Sequence, residues 1–553
     1  MSRLNEHPYP SGQLLLERIA CYRDRPFLID SASNRILSYG EFHGRACAMA
    51  SEFSRRGIRR GERVALLMPN SVEFAVGYFA CFYLGATAVP INPNLNLQDI
   101  QYILRDARIS LVVHTPATAT KLPAKEGGDR LCLSLLHPRQ NQEDRSGGMT
   151  LTTLASPPRD WQPFLECREE DPVVVVYTSG TTARPKGIAH RLSSLVGNAM
   201  AFGAIHGIDE DHRFYLILSM AYMGGFYNLF LLPFLHGSSV VIDEVFGARA
   251  SIAFWEKPMA YGVNALWLAP TLMAVLLKMD RGLKGESFCR EKVKLIFSGF
   301  APLSLKTKQE FEERYGVPVL ETYGLSETLF VSTNFKRFQS PEGSVGKMLP
   351  KIEVAILAEE APPLPEGLEG EIALKTPYLM LGYLNEEGEI RSEDPQRWFL
   401  TGDYGRITQE GHLFITGRKK DLIIRGGINV SPAAIEEVLR GFPGIGDVAV
   451  VSTPHDLYGE DITAVLRLEA GIELDSIRSA LVAHAQRHLA PHQQPSRYLG
   501  IDQFPMTPSG KMRKTHLRDL VIHQLQLKNP PENKLFAVRP ISETVYGKSK
   551  RDS

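Results

Sequence analysis

Between Thr178 and Gly187 the chain reads TSGTTARPKG, which brings four hydroxyls (Thr178, Ser179, Thr181, Thr182), Gly180 and the cation of Lys186 into one short stretch. Hydroxyls and exposed backbone N–H groups donate to phosphate oxygens, and a lysine adds a mobile positive charge. Gly180 lets the main chain approach a ligand closely. The spacing is not that of a Walker A loop, G-x-x-x-x-G-K-[ST], so a P-loop kinase or ATPase is disfavoured. The plain alternative is a solvated Ser/Thr/Gly loop. The preceding run weighs against it: Val173–Tyr177 is apolar and β-branched, and reads as a strand buried on both faces of a parallel sheet. Open α/β sheets bind phosphorylated ligands where a strand empties into such a loop.

Other stretches offer related chemistry. ETYGLSET (Glu321–Thr328) sets an aromatic ring beside a carboxylate, and Mg²⁺ takes carboxylate and phosphate oxygens. Asp403 closes a Thr-Gly-Asp, and an acidic side chain is a recurring partner of ribose hydroxyls in nucleotide sites. GRKKDLIIRGG (residues 417–427) is a charge cluster running into two glycines, and Lys511 ends PSGK. Singly, each of these reads as well as a turn or a solvated surface residue.

Together and in this order, YTSGTTARPKG, SGFAP, ETYGLSET, TGD, GRKKDLIIRGG and PSGK resemble the signatures of the adenylate-forming enzymes. These are the acyl-CoA synthetases, the luciferases and the adenylation domains of peptide synthetases. The resemblance implies that Thr178, Ser179, Gly180, Thr181, Thr182 and Lys186 hold the ATP phosphates. Gly299, Ala301 and Pro302 line the adenine pocket, Tyr323 stacks on adenine, Thr322 meets the α-phosphate and Glu327 reaches Mg²⁺. Asp403 takes the ribose with support from Arg418. Lys420 is the hinge, Gly426 and Gly427 form the loop that meets the thiol cofactor, and Lys511 bridges carboxylate and α-phosphate. A cation there is what an anionic acid attacking an anionic phosphate requires. Thr178, Lys186, Glu327 and Lys511 are the catalytic set on this reading.

The chain departs from the family pattern at three places. Ala183 replaces a usual glycine, which should tighten the phosphate loop. Phe300 replaces a small residue, as a wall beside nucleotide or acyl group or as plain core. Tyr222 stands where many acyl and aryl members have His, a bulkier group with one hydroxyl handle. Tyr222, Gly224, Gly225 and Phe226 are the expected acyl pocket, an aromatic cluster that reads equally as core. No Asp stands in SMAYMGGFYN (219–228), against a free α-amino acid as substrate.

The elements that must carry these residues follow from pattern. Ser38-Tyr-Gly-Glu41 is a capping box opening a helix with Phe42, Ala46, Met49 and Phe53 inward. Val64–Met68 reads as a strand, Ser71–Leu84 and a segment from Leu97 as helices, and Leu111–Val113 as a strand. This alternation means βαβ units. Ala124–Arg145 reads as a surface excursion. Phe214–Leu218, Ser238–Ile242, Ala265–Leu268, Leu295–Phe297 and Val317–Leu320 are further strands. From Ser344 short strands such as Ile352–Leu357 and Glu371–Leu374 mark a β-rich subdomain. Ser431 with Pro432 should cap a helix; Val448–Val451, Ile462–Leu468 and a helix near Ile477–Leu489 follow. The fold class is α/β with a β-rich subdomain. It comprises a large adenylation domain (1–419), a small mobile α+β domain (420–528) and a flexible tail (529–553).

The totals exclude several classes. Lys+Arg and Asp+Glu are 62 each, so nothing argues for a nucleic-acid or anionic-membrane partner. Six scattered cysteines without C-x-x-C disfavour zinc or a disulfide framework and fit a reducing compartment. No apolar run spans a bilayer and the N-terminal residues lack a signal-peptide core, so a cytoplasmic location is expected. The expected reaction uses ATP and Mg²⁺ to activate a small carboxylic acid, fatty, aryl or otherwise apolar, and passes it to CoA. Phosphopantetheine on a separate acyl carrier protein is the alternative acceptor. A non-catalytic nucleotide- or acyl-binding relative and a luciferase-like oxygenase are the other readings. The chain acts as a monomer or homodimer.

Overall fold

The computed structural model describes residues 10–122, 131–135, 149–151, 153–157, 161–164, 167–178, 185–247, 253–280, 282–335, 340–358, 363–426, 428–506 and 512–528. It divides into two compact units, Met1–Glu353 with Lys375–Phe399, and Val354–Leu374 with Leu400–Ser553. The architecture is mixed α/β.

The first unit is built on two large sheets. One has eight strands, in the order Ile390–Ser392, Gly382–Leu384, Lys186–Arg191, Pro172–Thr178, Thr87–Ile91, Arg63–Leu67, Leu111–His114 and Leu131–Ser134. The other has nine, and its run from Val319–Leu325 through Leu295–Ser298 and Ala265–Leu268 to Arg213–Leu216 is parallel. Local rules account for the helices between strands. Ser38 and Glu41 close a reciprocal capping box on Tyr39–Arg55. Gly85, at φ 67°, ends Val72–Leu84 in the left-handed conformation that glycine adopts without strain. Leu97–Asp106 turns Ile100, Ile103 and Leu104 into the core.

Four expectations are corrected. Pro172–Thr178 is buried as expected but sits in a mixed sheet. It runs parallel to Thr87–Ile91 and antiparallel to Lys186–Arg191, because the chain doubles back after Thr178. The ETYGL segment is not a loop after a strand but the strand itself, Val319–Leu325, paired antiparallel with Leu329–Thr333. The Ala124–Arg145 excursion contains a strand, Leu131–Ser134, laid parallel on Leu111–His114. Ser431 precedes Pro432–Arg440 but does not cap it with its side chain; its hydroxyl donates instead to the Thr416 carbonyl.

In the second unit, Glu353–Leu357, Gly370–Lys375, Phe399–Ile407 and Leu413–Arg418 form one sheet. A second sheet joins Ile423–Arg425, Ile428–Val430, Ile445–His455, Gly459–Leu468 and Arg497–Gly500. Its core is apolar, with Ile423, Ile435, Leu439, Ile462, Leu466 and Leu481 fully enclosed. Lys420 falls inside this unit, in the Lys419–Asp421 turn after Leu413–Arg418. Among the described residues no helix is long and apolar enough to cross a membrane, none of the six cysteines is in a disulfide, and no group of three or more His, Cys, Asp or Glu is placed to hold a metal.

Candidate active site

Lys186 opens the strand that returns alongside Pro172–Thr178, and the register sets it opposite Thr178. Gly187 has no room for a side chain, since a Cβ would stand 3.0 Å from the Tyr177 ring. Ser179, Gly180, Thr181, Thr182 and Ala183 lie outside the described residues, as do Gly427 and Lys511. The ends of the phosphate stretch are therefore held by a β ladder.

The next strand out brings a residue that sequence reasoning missed. Gly382–Leu384 pairs with Lys186–Arg191, Tyr383 opposite Ile188, and Gly382 leaves no space for a Cβ, which would meet the Arg391 carbonyl oxygen at 1.8 Å. The Tyr383 ring carries the Lys186 ammonium 5.8 Å from its centroid, within cation–π range. Its hydroxyl donates to Glu327 Oε1 at 3.0 Å. Burial, followed by the Glu327 charge, pushes the Tyr383 hydroxyl pKa well up, so it remains a proton donor. The same segment grips the Glu327 backbone, with Met380 N–H donating to the Glu327 carbonyl at 2.8 Å.

His190 secures the turn from the other side. It is fully buried on the Lys186–Arg191 strand, and its Nε2 lies 2.7 Å from the Ser326 carbonyl oxygen. Burial pushes its pKa down to about 4, so the ring is neutral near pH 7. A carbonyl can only accept, so the proton sits on Nε2. Nδ1 is enclosed without a hydrogen-bond partner among the described residues. Nothing in the sequence distinguished His190 or Tyr383: His190 lies just past the motif on the strand that Lys186 opens, Tyr383 lies one strand further, and only Gly382, a glycine inside a strand pattern, hinted at a close approach.

Thr322 and Gly299 are brought together. Thr322 Oγ1 donates to the Ser298 carbonyl at 3.1 Å, and a Cβ on Gly299 would come within 2.7 Å of that hydroxyl. Tyr323 is 9 % exposed, so its ring is set into this wall rather than projecting from it. Ala301 and Pro302 are exposed beside it. Phe300 takes φ 73°, the left-handed region that costs a residue with a Cβ roughly 1–2 kcal/mol. Its ring is not core: it is 37 % exposed and rests on Gly224.

Gly224 and Gly225 begin an uncommon element, a π-helix over Gly224–Leu231, a form that tends to occur at functional sites. Gly225 is obligatory by space, as a Cβ would lie 2.3 Å from the Ser219 carbonyl oxygen. Tyr222 is partly buried, accepts from Asn92 Nδ2 at 3.3 Å, and has its pKa raised by burial. Phe226 is fully enclosed and stacks on Tyr78 with centroids 4.3 Å apart, so its ring belongs to the core. Trp267, 1 % exposed, lies 6.3 Å from the Phe300 ring, and its Nε1–H has no hydrogen-bond partner among the described residues.

The second unit carries the remaining predicted residues. Asp403 is 4 % exposed, pairs in register with Arg418, and accepts from Arg418 Nε at 3.1 Å. Lys419 pairs with Glu371 at 2.8 Å, and Lys420 is exposed on the same turn. Gly426 takes φ 58° and its N–H donates to the Tyr458 carbonyl at 2.9 Å.

Chemically, the first unit offers a lysine cation, a carboxylate held at one oxygen, hydroxyls at Thr178 and Thr322, and a glycine at 299 that lets the Thr322 hydroxyl pack against the main chain. A half-buried carboxylate suits Mg²⁺, which takes carboxylate and phosphate oxygens.

Comparison with known proteins agrees with this chemistry. The AMP-binding enzyme family model matches residues 15–384, and the AMP-binding enzyme C-terminal domain model matches residues 434–511. The sulfoacetate–CoA ligase of Cupriavidus necator is 29 % identical over 514 residues, covering 91 % of this chain and 96 % of the relative. The long-chain-fatty-acid–CoA ligase FadD13 of Mycobacterium tuberculosis is 27 % identical, covering 92 % and 98 %. The crystal structure of ATP-bound MatB from Rhodopseudomonas palustris superposes with a TM-score of 0.80 at 27 % identity, covering 92 % of this chain and 98 % of that one.

Proposed function

The chain belongs to the AMP-binding enzyme family, and on that premise we propose that it is an acid–thiol ligase. It uses ATP to convert a carboxylic acid to an acyl-adenylate with release of pyrophosphate, then transfers the acyl group to CoA with release of AMP. The observation that carries this reading is the convergence of Lys186 and Glu327 on Tyr383 beside Thr178. Two opposite charges are kept available on one wall, as a transfer between anionic partners requires.

When bound, Mg²⁺ would supply charge neutralisation on the phosphates; Glu327 would hold it, and Thr322 would meet the α-phosphate. Lys186 and the Thr178 hydroxyl bind phosphate oxygens. Tyr323 and the Gly299–Pro302 wall bind the base, Asp403 with Arg418 orients the ribose, and Lys511 neutralises charge between carboxylate and phosphate. Lys420, exposed in a three-residue turn between two strands, is the hinge about which residues beyond it turn between the half-reactions. Gly426 and Gly427 admit the pantetheine thiol. The two relatives act on sulfoacetate and on long-chain fatty acids, so membership alone leaves the acid open. Tyr222, Phe300 and Trp267 support a compact apolar or aryl acid. Six scattered cysteines without a C-x-x-C pair accord with a reducing, cytoplasmic setting.

The test is pyrophosphate release with MgATP across a panel of fatty and aryl acids, with and without CoA, beside Lys511→Ala. One acid class should trigger release, CoA should yield thioester, and Lys511→Ala should abolish the first step. Release without thioester would move the acceptor to a carrier protein. Silence across the panel with ATP still bound would leave a binding protein in place of an enzyme.

A further inference from the structure

One side chain touches both charged groups on which the proposed reaction depends. Lys186 opens a strand and Glu327 lies in the turn between Val319–Leu325 and Leu329–Thr333; they are of opposite sign, yet among the described residues neither forms an ion pair, and each meets Tyr383 instead. The ring takes the ammonium at one end and the hydroxyl takes the carboxylate at the other. Tyr383 is itself held, on the strand side by pairing with Ile188, and along its own segment by Met380 N–H to the Glu327 carbonyl and Leu381 N–H to the Ala189 carbonyl, both 2.8 Å. The phenol is therefore fixed relative to Lys186 by the β ladder they share, and relative to Glu327 by the backbone hydrogen bond from Met380.

We propose that Tyr383 is a positioning residue that holds the Glu327 carboxylate in place for the metal–nucleotide complex and keeps Lys186 from collapsing onto it. The inference rests on the ligase reading above and adds to it a residue outside the recognised motifs. Its chemistry is a matter of strength. A direct lysine–carboxylate pair would engage both charges and oppose a nucleotide that needs them. A phenol hydrogen bond and a cation–π contact orient the same groups while leaving the ammonium charge and the second carboxylate oxygen for the ligand. A phenol carries its proton at neutral pH, so Tyr383 donates its hydrogen bond without becoming a third charge.

The two ends of Tyr383 can be separated by substitution. Tyr383→Phe keeps the ring under Lys186 and removes only the hydroxyl on Glu327; Tyr383→Leu removes both. Binding is read by calorimetry with ATP in excess Mg²⁺ and with ATP in a chelator, on the full chain. Tyr383→Phe should weaken MgATP binding about 10-fold, the scale on which outer partners of a metal ligand act, and leave metal-free ATP within about twofold. Tyr383→Leu should weaken both. Added to Glu327→Gln, Tyr383→Phe should cause no further loss of MgATP affinity, because the hydroxyl would have no carboxylate left to orient.

A Tyr383→Phe protein that binds MgATP like the wild type overturns the proposal. So does one that loses both forms equally with a lowered melting temperature, since that is the mark of a packing role. A wild-type protein that binds neither form overturns the nucleotide reading itself, and this inference with it. A wild type that binds MgATP but never releases pyrophosphate refutes the ligase reading, while the Tyr383→Phe comparison still decides the positioning role.

Discussion

The ring of Phe300 rests against Gly224, so closely that a Cβ added to Gly224 would stand 3.0 Å from two of its ring carbons. This contact links the loop beside Thr322 to the start of the π-helix, two segments widely separated in sequence. Phe300 reaches it at φ 73°, where a Cβ is unfavourable. Backbone strain retained at a site is a reason to look for a role.

At that position Phe300→Gly should be more stable than Phe300→Ala by roughly 1–2 kcal/mol, because glycine alone takes positive φ without a steric cost. Urea midpoints decide it, and equal midpoints would sink the strain argument. Both variants should also widen the range of acids that trigger pyrophosphate release towards bulkier ones.

Gly225→Ala should destabilise the protein severely, by roughly 2–4 kcal/mol, because the new methyl would overlap the Ser219 backbone carbonyl, which cannot rotate away. Gly224→Ala should cost less, since its closest neighbour is the movable Phe300 ring, and Phe300→Ala should rescue it. Additive effects of those two substitutions would contradict the contact.

Glu327→Gln keeps an acceptor for Tyr383 but removes the charge. Pyrophosphate release should fall about 10²-fold or more, in the range seen when one preorganised electrostatic partner is lost, while the melting temperature stays close to that of the wild type. A drop of less than about threefold would argue against Glu327 as the metal carboxylate.

Acid sensitivity should come from buried neutral histidines. Burial holds His190 and His236 down to about 4 and His206 to about 3. Each is depressed in the folded chain, so the unfolded chain binds the proton first as pH falls. Their contribution is fully present above about pH 6.5 and is lost progressively as pH falls, down to about 4 for His190 and His236 and about 3 for His206. For His190, a shift of this size is worth about 3 kcal/mol. His190→Gln, which can still donate to Ser326, should flatten the fall in urea midpoint between pH 6.5 and 4; an unchanged slope would refute the assignment.

Much of this protein was legible from its residues alone. The contiguous run Thr178–Lys186, the ETYGLSET motif and the 15-residue spacing from Asp403 to Arg418 announced nucleotide chemistry, because binding loops keep their groups close in sequence. Capping and periodicity located helices such as Tyr39–Arg55 and Leu97–Asp106 for the same reason, being short-range in origin. The sequence could not supply partners chosen by strand pairing. Tyr383 meets Glu327 across 56 positions only because Gly382–Leu384 adds to the edge of Lys186–Arg191. The placing of Phe300 on Gly224, the π-helix, and the diversion of the Ser431 hydroxyl from helix cap to the Thr416 carbonyl are likewise decisions of packing. A local pattern fixes which groups are present, whereas the distances between them are set by contacts whose energy exists only once the sheets have formed.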